Sequence, residues 1–342
     1  MGFFYPQWQK ITRIGVTTPP TTTGYQVKVG IPWQPGMRDD FADLRFSDYY
    51  RTLPYWIETS TTRVTATVWI KLTEINQASL EFFMYYGCGG AVSESSGDNT
   101  FDFFDDFLGS GLDTNKWTDT SIGTHTLTVS NSEIRLTVTD SAMGSHFAGV
   151  KAVSQNATDT TIQMFKAKCA SQYGYETALR MYNRENHSQT FGYRSDHAGT
   201  RLVRQFVEDG IDWSSAYEQS LSYNTYYVFE SRFDTTANIL YGRKDYGTWS
   251  TWTGRTGSDL SDRIGFSANA YWSAYNDMYL DWVAQRKYAA TEPTCTPAES
   301  GINTAFYQAL LRAKHVFDVA TYPYTLAVSF ITDHMHLTWT EP

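Results

Sequence analysis

Val64-Thr-Ala-Thr-Val-Trp-Ile-Lys-Leu72 decides the fold class. Val64, Ala66, Val68, Ile70 and Leu72 alternate with Thr65, Thr67 and Lys71, a period of two that turns one apolar face to a core and the other face to water. Working outward, runs of the same kind recur at Tyr25–Ile31, Leu53–Glu58 and Leu80–Tyr86. Pro19-Pro20-Thr-Thr-Thr-Gly24 and Gly87-Cys-Gly-Gly90 break the chain between or after them.

Ser93–Asn99 forms a polar connector, and strands then resume. Ile134, Leu136 and Val138 alternate with Glu133, Arg135 and Thr137. Further strands are expected at Thr160–Lys168, Thr177–Tyr182, Gln189–Tyr193, Arg201–Val207, Tyr226–Phe233, Ile239–Arg243, Arg263–Phe266 and Met278–Tyr288. No strand–helix–strand alternation occurs, which excludes a dinucleotide-binding fold. Ala290–Gly301 reads as a Pro/Thr linker, Thr304–Lys314 as one short helix, and Tyr322–Phe330 with Met335–Trp339 as a hairpin. The expected protein is all-β: a small antiparallel β-sandwich over 1–98, a larger sandwich over 99–290, and over 291–342 a linker with a C-terminal helix/hairpin extension. A lone hairpin is marginal in water, so this extension is expected to pack on its own chain or on a neighbouring subunit.

The 342 residues are enough for two or three domains with proper cores. Hydrophobic residues make up 41% and charged residues 18%, a folded rather than disordered composition. Aromatics reach 16%, and Tyr and Trp suit both half-buried strands and contact surfaces. The formal net charge of −9 excludes the basic footprint that nucleic-acid capture needs. Cys88, Cys169 and Cys295 lie far apart with no CxxC pair, so no zinc site is expected. No apolar run approaches a membrane span, and residues 1–10 carry no basic-then-apolar secretory pattern.

Four motifs carry a family resemblance: Ala42-Asp-Leu-Arg-Phe-Ser-Asp48, Leu53-Pro-Tyr-Trp-Ile-Glu58, Ala66-Thr-Val-Trp-Ile-Lys71 and Phe83-Met-Tyr-Tyr-Gly87. In order and spacing they resemble the domain of unknown function 2341, found in archaeal and bacterial surface proteins and some viral genomes. Cys88-Gly89 departs from the family's usual Asn-Pro. Downstream, Phe104-Asp-Asp-Phe-Leu-Gly-Ser-Gly-Leu-Asp-Thr-Asn-Lys-Trp117 resembles the opening strand of concanavalin A-like lectin/glucanase (LamG-like) domains, and Asp281-Trp-Val-Ala-Gln-Arg-Lys-Tyr288 their closing strand. That resemblance implies a jelly-roll sandwich whose first and last strands lie side by side, with one concave sheet whose face and rim loops often bind glycans.

A glycosidase on this fold needs two carboxylates about 5–5.5 Å apart for retention or roughly 6.5–9.5 Å apart for inversion. The Glu-x-Asp-x-x-Glu strand pattern that supplies them is absent, and Glu208-Asp-Gly-Ile-Asp212 is interrupted by its glycine. Catalysis is therefore not expected. Asp102, Asp105 and Asp106 crowd together, and with Asp281 brought alongside by the fold they suggest structural calcium at Asp105, Asp106 and Asp281, against the plainer role of capping turns. His334 and His336 share a strand face, an arrangement commoner as a surface pair than as a metal site. No Gly-x-Ser-x-Gly, P-loop or dinucleotide fingerprint occurs.

The aromatics remain. Trp213 and Tyr217, Trp249 and Trp252, and Tyr271 and Trp272 fall in three turn-rich stretches, where exposed rings could stack on sugar faces; the bland alternative is that each plugs the end of a core. The expected function is a non-catalytic structural and adhesive protein of an extracellular assembly. A virion decoration, tail or fibre protein comes first, displaying a lectin-like domain toward a glycan or host-surface ligand and meeting neighbouring subunits through residues 300–342. A secreted cell-surface adhesin is the alternative, and a glycoside hydrolase comes third. Either favoured setting places the protein on a virion surface or outside the cell.

Overall fold

The computed structural model describes residues 7–18, 22–48, 51–73, 80–139, 146–156, 158, 160–173, 177–182, 190–196, 199–208, 211–234, 236–237, 239–253, 263–270, 275–303, 325–331 and 334–340; from 171 to 220 and from 325 onward it describes backbone alone. The chain forms two compact units, 1–100 with 289–342, and 101–288. Every strand pairing among the described residues is antiparallel, an arrangement that suits strands with one buried and one polar face.

The first unit comprises β1 (Lys10–Thr17), β2 (Tyr25–Pro32), β3 (Arg45–Ser47), β4 (Tyr55–Thr61), β5 (Thr65–Leu72), β6 (Leu80–Tyr86), the one-turn helix α1 (Gly97–Thr100) and, from far downstream, β22 (Thr294–Asn303). One sheet runs β22-β1-β6-β3 and the other β2-β5-β4. Ala66, Val68, Ile70 and Leu72 of β5 face Ile31, Val29, Val27 and Tyr25 of β2, and these residues share a core with Ile14, Phe46, Tyr55, Phe82 and Met84. Val64 does not join them. It is 59% exposed, because Arg63 at φ 56° turns the β4–β5 hairpin and the strand starts one residue later.

Two segments expected to be connectors are built into this unit. The stretch read as a Pro/Thr linker is the edge strand β22, which pairs with β1 from Lys10↔Asn303 to Thr17↔Thr294. Pro297 passed for a linker residue, yet an edge strand tolerates proline because one row of its backbone groups needs no partner. The Ser93–Asn99 connector is fastened along β4. Ile57 N–H donates to Ser95 Oγ (2.8 Å), Ser96 N–H to the Tyr55 carbonyl (2.8 Å), and Asn99 N–H to Ser96 Oγ (3.3 Å).

The four family motifs supply the internal bonds of this unit. Asp43 is fully buried, and its carboxylate accepts backbone N–H groups from Arg38 (3.0 Å), Gly87 (2.7 Å) and Cys88 (3.2 Å), tying two loops together. Arg45, 2% exposed, donates to the carbonyls of Ala42, Leu44 and Val92 and stacks over Trp8 at 5.0 Å. Tyr55 donates to the Leu44 carbonyl, and Trp69 Nε1–H to Glu58 (both 2.8 Å). Gly87 has φ +88°, and a Cβ there would stand 3.3 Å from Gln9 Cβ, so glycine is required just before the Cys88-Gly89 departure.

The second unit is a jelly-roll sandwich. It contains β7 (Phe103–Asp105), β8 (Trp117–Asp119), β9 (His125–Ser130), β10 (Glu133–Thr139), β11 (His146–Asn156), β12 (Thr161–Tyr173), β13 (Thr177–Tyr182), β14 (Thr190–Asp196), β15 (Gly199–Glu208), β16 (Ile211–Ser220), β17 (Tyr227–Asp234), β18 (Ile239–Lys244), β19 (Ser250–Thr253), β20 (Arg263–Ala270) and β21 (Tyr275–Lys287). One sheet runs β19-β18-β17-β12-β21-β10-β9 with β7 also on β21, and the other β16-β15-β14-β13-β20-β11-β8. The opening strand β7 lies beside the closing strand β21, Phe103 opposite Gln285. Between the sheets, Ile134, Leu136, Phe165, Phe229, Leu280 and Val283 meet Trp117, Val150, Ile264 and Phe266.

The strands of the expected hairpin are paired, β23 (Thr325–Ile331) on β24 (His334–Thr340). The helix expected at 304–314 lies outside the described residues. All three cysteines are thiols, and burial pushes that of Cys295 up to about 12.

Asp43→Ala leaves the buried Gly87 N–H and the part-buried Arg38 and Cys88 N–H groups without their acceptor. It is expected to destabilise the first unit by about 3 kcal/mol or more in equilibrium urea unfolding, with the second unit's transition unchanged.

Candidate functional site

Alternation places half of each strand in the eight-stranded sheet on the face turned away from the core. On that face β12 carries Met164, Lys166 and Lys168; β17 carries Val228, Glu230 and Arg232; β18 carries Tyr241 and Arg243; β21 carries Tyr279, Trp282, Ala284 and Arg286; and β10 carries Glu133 and Arg135. One half of the face is sealed. Met164, Glu230, Ala284 and Arg286 are at most 1% exposed there, and Trp282 2%. The other half, around Lys166, Lys168, Tyr226 and Tyr279, is partly open.

In the sealed half Glu230 is compensated twice. Arg243 Nε–H donates to one carboxylate oxygen, and Arg286 donates to the other through Nε (3.0 Å) and Nη2 (2.8 Å). A buried carboxylate is tolerable only with such charge-assisted bonds. The Arg243 guanidinium lies 4.2 Å from the ring of Trp249, which is half-buried. Arg232 lies between Tyr288 (3.8 Å) and Tyr241 (4.5 Å) and pairs with Asp234 at 3.3 Å.

In the open half, Lys166 pairs with Asp281 at 2.6 Å, and Arg135 grips Asp277 through two bonds of 2.6 and 2.8 Å. The Tyr226 hydroxyl donates to Glu133. Burial, and then that bond, push the Tyr226 phenol well above the usual tyrosine range, so it stays a neutral donor. Lys168 lies between the rings of Tyr226 (4.4 Å) and Tyr279 (4.7 Å), and Lys166 is 5.1 Å from Tyr226.

Of the six aromatic candidates, Trp249 alone has a described side chain. Trp213 and Tyr217 belong to strand β16 and Trp252 to strand β19, not to loops, which corrects the placement made from sequence. Aromatics favour pleated strands, and the short polar residues around them imitate turns. Tyr271 and Trp272 lie outside the described residues.

The calcium candidates do not converge. Asp105 faces the core, accepting Trp117 Nε1–H (2.5 Å) and Phe107 N–H (2.9 Å), whereas Asp281 pairs with Lys166 on the opposite face. Asp106 follows β7, half-exposed. Among the described residues no group of three or more His, Cys, Asp or Glu side chains is placed to hold a metal ion. His334 and His336 are alternate residues of β24, opposite Ile331 and Ser329. Glu208 ends β15 opposite Ile211, and Asp212 lies opposite Val207.

Sequence reasoning missed the open patch. Glu133 and Arg135 were visible as the polar half of an alternating strand, but nothing in the sequence says that β10, β21, β12 and β17 are neighbours.

Residues 40–120 match the family described as Domain of unknown function (DUF2341). All four N-terminal motifs fall within that span, which supports the resemblance drawn from them. No curated protein sequence matches the chain. Among solved structures, one reported with endo-acting O-glycanases of the human gut microbiota that initiate mucin breakdown is similar at 11% identity, TM-score 0.44, covering 55% of this chain and 100% of that one. A β-1,3-glucanase from Mycobacterium marinum is similar at 11% identity, TM-score 0.40, covering 54% and 98%. LamAcat from Zobellia galactanivorans is similar at 11% identity, TM-score 0.40, covering 56% and 100%. Nothing about this chain's chemistry follows from likenesses at that level. No helix among the described residues is long and apolar enough to cross a membrane.

Glu230→Gln removes the charge that two buried guanidinium groups share. It is expected to destabilise the second unit by about 3–5 kcal/mol in chemical unfolding, a loss that a surface pair such as Arg63–Asp39 would not show on Asp39→Asn.

Proposed function

We propose that this chain is a non-catalytic structural and adhesive protein whose jelly-roll unit binds saccharide. The observation that carries the proposal is the sheet face just described, on which aromatic rings, cations and carboxylates share a partly open surface. Rings offer apolar faces to sugar C–H groups, and the flanking charges offer donors and acceptors to hydroxyls. Each described carboxylate there has a partner: Glu133 with Tyr226, Asp277 with Arg135, Asp281 with Lys166, Glu230 with Arg243 and Arg286. Carboxylates already held by a partner suit binding better than the acid and nucleophile roles of a glycosidase.

The setting we propose is the surface of a virus particle, with a cell-surface adhesin as the alternative. The hairpin β23–β24 supports an assembly role. Leu326, Val328 and Phe330 stand opposite Trp339, Leu337 and Met335, a register that groups six apolar residues on two strands too few to be stable alone. A contact with neighbouring subunits would supply the packing that two strands lack.

Two measurements test this. On a glycan array the protein is expected to bind, Trp249→Ala to bind roughly tenfold more weakly, and neither to release reducing sugar. Release of reducing sugar that is lost in Glu208→Gln would overturn the non-catalytic reading. Light scattering is expected to show an oligomer for the full chain and a smaller species for a chain ending at Asn303, which retains β22. A monomer in both cases would remove the assembly role.

A further inference from the structure

We propose that Lys168, clasped between Tyr226 and Tyr279, is the centre of a subsite for a neutral, hydroxyl-rich saccharide on the outer face of the second unit's eight-stranded sheet. The proposal rests on the saccharide-binding reading and adds where the ligand sits and of which class it is.

The local structure follows from strand order. In β12, Phe165, Ala167 and Cys169 enter the core, which turns Lys166 and Lys168 outward together. Tyr279 of β21 is the register partner of Lys168 on one side and of Arg135 on the other, while Tyr226 reaches the same place from the start of β17. Four neighbouring strands at about 4.8 Å spacing make a platform roughly 15 Å wide, room for two or three sugar rings.

Lys168 differs from its neighbours. Lys166 and Arg135 are bonded to carboxylates at 2.6 Å. The carboxylate oxygen nearest Lys168, Glu133 Oε1 at 3.8 Å, is beyond hydrogen-bond distance and already accepts the Tyr226 hydroxyl. An ammonium carries three donors. The two rings at 4.4 and 4.7 Å stabilise its charge without accepting its N–H groups, and the side chain is 21% exposed. The result is a lysine held in place before any ligand arrives, with the Glu133 carboxylate beside it and that of Asp281 on neighbouring Lys166. Fixing a long side chain in advance removes an entropy cost that binding would otherwise meet.

Charge selects the ligand class. Lys166 with Asp281, Arg135 with Asp277, and Lys168 beside Glu133 leave the patch balanced. A sulfated or uronate-rich chain would find no net attraction and would be repelled by Glu133 and Asp281. Hydroxyls, which both donate and accept, match alternating ammonium and carboxylate groups.

The test titrates the full chain with neutral gluco-, galacto-, manno- and xylo-oligosaccharides and with sulfated and uronic counterparts, at low and high salt. A neutral oligosaccharide is expected to bind with an affinity that salt leaves unchanged. Lys168→Met, which keeps the stem and deletes the donors, is expected to weaken it at least tenfold with an unchanged melting temperature. In the wild-type protein the same oligosaccharide is expected to slow acetylation of Lys168 and not of lysines elsewhere, a readout that stands even if the variant fails to fold. Binding that survives Lys168→Met but is lost in Trp249→Ala overturns this subsite and leaves the saccharide reading intact. Salt-sensitive binding confined to the charged panel overturns the neutral class. No binding to either panel overturns both.

Discussion

The ladder between β1 and β22 is the constraint on which the architecture depends. Even its nearest partners in sequence, Thr17 and Thr294, are separated by 277 positions, and it gives the first unit its fourth strand on that sheet. Closing so long a loop costs conformational entropy that grows only slowly with length. The second unit lowers that cost further, because it gathers its own ends: β7 pairs with β21, and Asp102 N–H bonds the Gln285 carbonyl at 3.2 Å. The sandwich is thus inserted, along the chain, into a domain that is completed only after it.

Within each unit a buried acid organises polar groups that the core alone could not place. Asp43 collects three backbone N–H groups in the first, and Glu230 holds two guanidinium groups in the second. Both are fully buried, so each bond must be made or the desolvated charge becomes a large penalty. This assigns the family motifs around Asp43, Arg45, Tyr55 and Trp69 to the fold. The motifs within residues 40–120 therefore have a structural part in the first unit.

Much of the fold was legible. Leu80–Tyr86 and Thr177–Tyr182 are strands with the bounds their alternation suggests, and β5 differs by one residue at its turn. The failures share a cause. The β22 strand was hidden because Pro297 and its threonines look like a linker unless one knows that the strand lies at a sheet edge. The stretches holding Trp213, Tyr217 and Trp252 read as turn-rich because Ser, Thr and Asp around them mimic turn chemistry, and pairing with β15 and β18 overrides that local signal. Asp105 and Asp281 invited a cation on charge density alone; the sheet sends them to opposite faces.

That the chain is all-β, which side of most strands is apolar, and where the motifs lie are readable along the chain, because side-chain period and turn residues are local properties. The return of 294–303 to the first unit, the place of Glu230 between two arginines and the meeting of Lys168 with Tyr226 and Tyr279 emerge from strand pairing. Those contacts join residues from strands that register alone makes neighbours, and no local pattern along one strand encodes the identity of the strand beside it.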